Sequence, residues 1–205
     1  MSATSTSLGK HLLCAVPQLR DPNFERSVVL MLEHGAEGAL GLVLNNPLPN
    51  TVAEVADGLG LQWVGDPEAT VRLGGPVEPM RGWILHEDPN WDPTAHLMFP
   101  GVHLTTSLDP VQRAGNLVCG EDQARFLFLL GYAGWGEAQL EAEIAVGSWV
   151  AVPIDARPDD GAFAGVSPSW LFETEPEDMW DEALRSIGVD PARLVGLKGG
   201  DAALH

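Results

Sequence analysis

The chain has 205 residues, of which 45% are apolar, and a formal net charge of −18 at pH 7. A chain of this length buries roughly 70% of the surface that its unfolded form exposes, so it can hold a core without disulfides or a structural metal. The negative charge opposes binding to a phosphate backbone, and the sequence has no basic stripe, zinc-finger pattern or helix-turn-helix. We therefore do not expect direct binding to nucleic acid.

The predicted elements alternate irregularly between strands and helices. Apolar, β-branched runs predict strands, and apolar periodicity after a capping residue predicts a helix. The predicted strands are His11–Pro17, Ser27–Glu33, Ala39–Leu44, Val71–Leu73, Trp83–His86, Phe126–Tyr132 and Trp149–Pro153. The predicted helices are Thr51–Gly58, a short one from Asp109-Pro110, Gln139–Val146, Glu177–Ile187 and a last turn from Asp190-Pro191. This order favours an α/β (α+β mixed) fold with a mixed sheet over a doubly wound parallel sheet.

Two local signals are the most specific. Thr51 followed by Glu54 is typical of a helix capping box. Gly134-Trp135-Gly136 indicates a tight turn after the apolar strand, and Ala39–Leu44 is expected to pair antiparallel with the preceding strand.

We expect one domain. Residues 1–8 are polar and predict a flexible tail, and residues 9–205 are expected to form a single compact domain. The stretches Asp88–Phe99 and Ala156–Ser169 are rich in Pro, Gly and Asp, but strand-like segments lie on both sides of each. A linker is therefore the weaker interpretation of either stretch.

The cellular location is expected to be the cytoplasm, without membrane association. The first eight residues have neither the basic nor the apolar region of a signal peptide. The longest apolar run, Phe126–Leu130, is too short to cross a bilayer. The two cysteines, Cys14 and Cys119, form no metal or redox pattern, and we expect both to be buried thiols.

Signatures of catalysis and cofactor binding are absent from the sequence. Gly165-Val166-Ser167-Pro168-Ser169 lacks the second glycine of a nucleophile elbow, and no Walker A lysine loop occurs. The glycines of Gly131–Gly136 are spaced in the reverse of the dinucleotide order and precede acidic residues, which favours close packing over phosphate binding. His86, His96 and His103 match no tight metal motif. We expect no metal and no cofactor, and the chain is more typical of a non-enzyme.

Six polar residues at predicted strand ends form the candidate ligand site: Arg26, Glu33, His34, Asn45, Arg81 and His86. Each arginine either pairs with a carboxylate of the fold or anchors a small carboxylate or phosphate ligand. Asn45 lies at a strand end and is expected to form a turn, although it could instead face a ligand. Glu33 and His34 could do acid–base chemistry, although adjacent strand residues face opposite sides.

Several motifs, in order, resemble the AlgH/YqgE family of bacterial proteins over roughly residues 8–200. The matching segments are Cys14–Pro17, Asp21–Leu30, Glu33-His34, Gly38, Gly41–Asn45, Pro47, Gly74–Val77, Arg81-Gly82, Leu85-His86, Thr105–Ser107, Asp109, Gly131–Gly136, Gln139–Glu141, Glu143-Ile144 and Trp149. Two positions depart from the family pattern. Asn46 stands where a basic residue is usual, and Asp201 stands where a histidine is usual.

The resemblance implies a single domain with a mixed, barrel-like sheet flanked by helices. Family members are often labelled transcriptional regulators, and the family supplies no catalytic residue or cofactor. Three functions stay open. The first is a non-enzymatic regulatory or binding protein that acts through contacts with a protein partner. The alternative is an enzyme or sensor for a small polar or anionic ligand. The third is a purely structural or assembly role. The oligomeric state does not follow from the sequence.

Overall fold

A large mixed sheet organises the structure, a computed structural model that describes residues 8–19, 21–64, 66–106, 116–118, 125–154 and 165–196. The strands are β1 His11–Ala15, β2 Val28–Gly35, β3 Gly38–Val43, β4 Pro47–Thr51, β5 Gln62–Val64, β6 Thr70–Leu73, β7 Val77–His86, β8 His96–Phe99, β9 Val102–Thr105, β10 Asn116–Val118, β11 Phe126–Trp135 and β12 Trp149–Pro153. The helices are α1 Val52–Gly58, α2 Gln139–Ala145, α3 Trp170–Glu173, α4 Pro176–Ser186 and α5 Pro191–Gly196. These bounds confirm the mixed α+β fold, in one compact domain.

The sheet curls into a half-barrel around β11. Its main path runs β12-β1-β2-β3-β11-β7-β9-β8, and β6 lies beside β11 with β4 on its far side. β11 pairs parallel with β6 and antiparallel with β3 and β7. β2 and β3 form the antiparallel pair that the sequence predicts. β11 therefore joins the two halves of the sheet.

The predicted turn at Gly134-Trp135-Gly136 is wrong, because β11 continues to Trp135. The register of β11 against β7 shifts between Leu130 and Tyr132, and Gly131 between them has a φ of +71°. A Cβ at Gly131 would lie 2.4 Å from the carbonyl oxygen of Gly75. The glycines thus allow a bulge and a close backbone approach within a strand, and the segment is no phosphate loop.

Helices cover both faces of the sheet. One face carries Leu12, Leu30, Leu85 and Leu129 and is covered by α4, whose Trp180 is 1% exposed. The indole nitrogen of Trp180 donates a hydrogen bond to the carbonyl oxygen of Ala15 at 2.8 Å. The other face is divided between α2 and α1, which pack over separate apolar clusters. Because helices cover both faces of the sheet, polar side chains at the ends of its strands are the ones that can reach solvent.

Several local predictions are confirmed. Thr51 and Glu54 form the reciprocal capping box of α1. α4 buries Met179, Trp180, Ala183 and Leu184, which is the predicted apolar face. Cys14 is buried, and this burial raises the pKa of its thiol to about 12. No helix in the described residues is long and apolar enough to cross a membrane.

Three predictions fall on residues outside the described ranges. They are the flexible tail, of which only Leu8 is described, the helix from Asp109-Pro110, and the burial of Cys119. Asp201 also lies outside those ranges.

Candidate functional site

The six predicted site residues lie at four separate places. Arg26 and Asn45 are neighbours at the start of β2. Glu33 lines a groove beside Tyr132, and the guanidinium of Arg81 lies 5.8 Å from the Tyr132 ring. His34 contacts α2, and His86 is buried between β7 and β9. The structure therefore brings Arg26 and Asn45 together, places Glu33 and Arg81 near Tyr132 without a hydrogen bond or ion pair between them, and does not form one site from all six.

Asn45 holds the start of β2. Its side-chain oxygen accepts a hydrogen bond from the backbone N–H of Val28 at 2.8 Å, and its amide nitrogen donates to the carbonyl oxygen of Arg26 at 2.9 Å. Arg26 itself has a positive φ of 53°, which is uncommon for a residue with a side chain. Asn45 thus stabilises the backbone at the start of β2, which agrees with the structural role expected for an asparagine after an apolar strand.

The guanidinium of Arg26 lies against α4. Its Nη2 atom is 2.9 Å from Oδ1 of Asp181, and its Cζ atom lies 4.7 Å from the ring centroid of Trp180. The Arg26 side chain is 55% exposed, so this ion pair contributes little stability. Of the two interpretations of Arg26, the geometry matches the carboxylate pair.

A polar cavity lies beside this junction and is here called the Ser27 cavity. It has a volume of about 300 Å³ and is lined by Pro22, Asn23, Glu25, Ser27, Val43, Asn45 and Asn46. The turn before it is closed by Asp21, whose carboxylate accepts from the backbone and side-chain nitrogens of Asn23, both at 2.9 Å. Four of the lining side chains are uncharged and polar. The cavity therefore suits a small polar group more than an apolar one.

Ser27 is the unusual member of this cavity. The residue is only 4% exposed, and its hydroxyl oxygen is buried without a hydrogen-bond partner. Buried polar atoms in native proteins almost always have a partner, and an exception points to a bound water, ion or ligand. Sequence reasoning missed Ser27 because a serine that starts an apolar strand carries no catalytic or binding signature.

A second depression, the Tyr132 groove, lies on the sheet where β3, β7 and β11 meet. It has a volume of about 410 Å³ and is lined by Glu33, Glu37, Gly38, Ala39, Leu40, Val77, Tyr132, Gly134 and Trp135. Glu33 and Leu40 are register partners across β2 and β3, while Val77 and Tyr132 are partners across β7 and β11. The groove thus combines aromatic and aliphatic side chains with two carboxylates.

Arg81 stacks on Trp83 beside this groove. Its Cζ atom lies 4.2 Å from the ring centroid of Trp83, and Nη1 lies 3.4 Å from a carboxylate oxygen of Glu78. The same Glu78 carboxylate accepts from the hydroxyl of Tyr132 at 3.4 Å. Arg81 is therefore held by a cation–π contact and a local carboxylate.

His34 is separated from Glu33. Its Nδ1 atom accepts from the backbone N–H of Leu8 at 3.2 Å, so the proton lies on Nε2, which donates to Glu141 at 3.1 Å. The His34 side chain is 3% exposed. Since both ring nitrogens are used, His34 and Glu33 do not form an acid–base pair.

His86 belongs to a closed polar network. Its Nδ1–H donates to the carbonyl oxygen of Asp88 at 2.8 Å, and Nε2 lies 3.1 Å from the hydroxyl of Thr105. That hydroxyl donates to Asp92 at 3.0 Å, and Thr94 donates to the other oxygen of Asp92. His86 is fully buried. The network is enclosed, and no substrate can reach it in this conformation.

The described residues hold no group of three or more His, Cys, Asp and Glu side chains placed to bind a metal ion. The imidazole rings of His86 and His103 are stacked with centroids 5.6 Å apart.

Acidic residues after β11 also have structural roles. The Glu143 carboxylate accepts from the indole nitrogens of Trp135 at 3.0 Å and Trp149 at 2.7 Å.

The His86 network predicts a loss of stability on acidification. Burial lowers the pKa of His86 from its ordinary 6.5, an effect that the hydrogen bond to Asp88 partly offsets. The unfolded chain then binds the proton more tightly, so stability is complete above pH 6.5 and decreases as the pH falls toward the folded pKa. We expect a slope of up to about 1.4 kcal/mol per pH unit from this one group.

Urea unfolding of the native chain and a His86→Gln variant across this pH range measures the effect. The variant should lose this part of the pH dependence, whatever its stability at neutral pH. Equal slopes for both proteins would contradict the expectation. Below this range, protonation of Asp92 adds to the loss, because hydrogen bonds from Thr94 and Thr105 outweigh burial and lower the pKa of that carboxyl.

The structure is thus a small acidic protein with a half-barrel sheet and two depressions on its surface. Residues 12–192 match the AlgH-like family. The chain belongs to the AlgH-like (UPF0301) family, which confirms the resemblance seen in its sequence motifs.

Relatives cover almost the whole chain. A UPF0301 protein of Myxococcus xanthus is 45% identical over 195 residues, which span 94% of this chain and 98% of that protein. One from Xanthomonas axonopodis pv. citri is 39% identical over 202 residues, or 97% and 99% of the two chains.

Two solved structures are similar in fold. The solution structure of the AlgH protein from Pseudomonas aeruginosa is 29% identical with a TM-score of 0.69, and the match covers 100% of both chains. A crystal structure of a Corynebacterium diphtheriae protein has a TM-score of 0.66 at 20% identity, covers 95% of this chain and 94% of that chain, and supports the fold alone.

Proposed function

We propose that this protein is a cytoplasmic, non-enzymatic binding protein that acts through contacts with a protein partner at the Tyr132 groove. The observation that carries the proposal is the combination of exposed apolar side chains with carboxylates at this groove. Val77 lines the groove and is 37% exposed, and Met80, which lies three residues further along β7 but does not line the groove, is 88% exposed. Exposed methionines and aromatic side chains are common at protein-binding surfaces.

The charge of the groove favours a partner segment with basic and apolar side chains. Glu33 and Glu37 line it, Glu78 contacts Tyr132, and no lining residue among those described carries a positive charge. The net charge of −18 attracts basic partners over a long range and opposes nucleic acid. A transcriptional role would then come from a protein contact, with no direct contact to DNA.

The reactive groups in the described residues support binding over catalysis. The thiol of Cys14 is buried and its pKa is raised to about 12. Both nitrogens of His34 are engaged, and His86 is fully buried in its own network. A nucleophile or general base needs to reach its substrate within hydrogen-bond distance. None of these three groups meets that requirement.

Photo-crosslinking tests this proposal in cells that produce the full chain. A benzoylphenylalanine at Val77 should give a discrete crosslinked product with a protein partner. The matched control places it at Leu59, which is 43% exposed, follows α1 and does not line the groove. The product should be lost when Glu33 and Glu37 are both changed to lysine. Equal products from both positions, or none from Val77, would reject the groove as the binding surface.

A second candidate function is recognition of a small polar ligand in the Ser27 cavity. The unpartnered hydroxyl of Ser27 favours it, since a buried hydroxyl without a partner costs free energy that a ligand could recover. Asn45 fixes the backbone beside this cavity through its hydrogen bonds to Val28 and Arg26. The charge of Arg26 is paired with Asp181 and is not available to a ligand. This function does not depend on the Tyr132 groove.

A further inference from the structure

The free hydrogen-bonding groups of the Ser27 cavity are mainly acceptors. The hydroxyl oxygen of Ser27 has no partner, and neither the side chain of Asn46 nor that of Glu25 makes a hydrogen bond or ion pair. Asn23 uses its amide nitrogen on Asp21, which leaves its amide oxygen free. A complementary group would therefore present several N–H donors.

The charge of the cavity has one sign. Glu25 is the only ionisable residue among the described residues that line it. The neighbouring guanidinium of Arg26 is directed to Asp181 and lies over Trp180, so it does not supply an anion-binding charge to the cavity. A carboxylate or phosphate would meet Glu25 without a compensating cation. An anionic ligand is thus disfavoured here.

The cavity has room for a small polar molecule. A volume of about 300 Å³ is at the small end of known ligand sites. Asn46 lines this cavity with an uncharged polar side chain. The cavity is therefore open enough for a ligand and carries the charge of Glu25.

We propose that the Ser27 cavity binds a guanidinium or primary ammonium group, with Glu25 supplying the charge and Ser27 and Asn46 accepting its N–H groups. The proposal rests on the second candidate function and specifies its ligand class. The cation could belong to a free small molecule or to an arginine or lysine side chain of another protein. Both sources present the same chemistry to the cavity.

Titration calorimetry with the Nα-acetyl amides of L-arginine and L-citrulline tests the charge, because neither has an α-ammonium group and citrulline keeps the shape of the arginine side chain without its guanidinium charge. Arginine should bind about fivefold more tightly, the upper limit for an exposed ion pair. Glu25→Gln should remove this preference, and Ser27→Ala should weaken both ligands. The matched control Glu68→Gln changes an exposed carboxylate that lines neither depression and should leave arginine binding unchanged.

The outcomes separate the ligand class from the function. Equal binding of citrulline and arginine to the native chain would overturn the cation while leaving a ligand site. No binding of either at millimolar concentration would overturn both. A capped Gly-Arg-Gly peptide identifies the source. If it binds more tightly than free arginine, the cation belongs to a protein side chain, and the reverse order indicates a small molecule.

Discussion

Gly75→Ala is expected to destabilise the protein by about 3 kcal/mol or more, because the new methyl group would overlap backbone atoms that cannot rotate away. A Cβ at this position would lie 2.2 Å from the carbonyl carbon of Tyr132 and 2.4 Å from the nitrogen of Ala133. Gly75 also has a φ of +151°, which side chains rarely adopt. Chemical denaturation measures the loss as a lower midpoint.

Gly58→Ala is the matched control for this substitution. Gly58 ends α1, and a Cβ there meets nothing within 4 Å. Alanine is favoured over glycine in a helix by up to about 1 kcal/mol, so this variant should be neutral or slightly more stable. Similar losses in both variants would show that the close contact between Gly75 and Tyr132 is absent. Since Tyr132 lines the Tyr132 groove, the Gly75 variant should also lose the crosslink from Val77.

The sequence predicted elements whose signals are local. The capping box of α1 involves residues three apart, and the apolar face of α4 repeats over a few turns, so neither depends on distant parts of the chain. β4 and β8 were not predicted. β4 begins with Pro47-Leu48-Pro49, and β8 is only four residues long, so each forms a strand because a neighbour pairs with it.

The candidate site depended on register, which a single sequence does not contain. Val29 pairs with Val43, and this places the residues before β2 beside those after β3, so Arg26 and Asn45 meet. The register then shifts between Met31 and Glu33. That shift changes which face each later side chain reaches, as a one-residue slip does in any strand. Glu33 and His34 consequently point to different parts of the protein.

The residues that sequence reasoning missed share one property. Ser27 and Tyr132 have no chemical signature of their own, and only the residues around them distinguish them. Ser27 is notable because its hydroxyl is buried and unpartnered, and Tyr132 because β7 and β11 bring Glu78 and Arg81 beside it. Both conditions are set by long-range pairing. A motif search examines residue types and spacing, and it therefore overlooks such positions.

Asn45→Ala is expected to cost about 2–4 kcal/mol of unfolding free energy, because it removes two hydrogen bonds and leaves a buried donor unsatisfied. The N–H of Val28 is the donor in question, and Val28 is fully buried. The carbonyl oxygen of Arg26 loses its partner as well. Asn45→Asp keeps an acceptor for Val28 but loses the donor to Arg26, so an intermediate loss is expected. Urea denaturation at neutral pH measures both.

Asn46→Ala separates this structural role of Asn45 from the ligand-binding role that we propose for Asn46. The Asn46 side chain lines the Ser27 cavity and makes no hydrogen bond, so its removal should change stability by less than about 0.5 kcal/mol. It should nevertheless weaken arginine binding, whereas Asn45 variants should mainly lose stability. A large stability loss from Asn46→Ala, or a negligible one from Asn45→Ala, would contradict this division. The two adjacent asparagines are the same residue type, and only their hydrogen-bond partners distinguish them. Either of those two results would mean that the two roles have been exchanged.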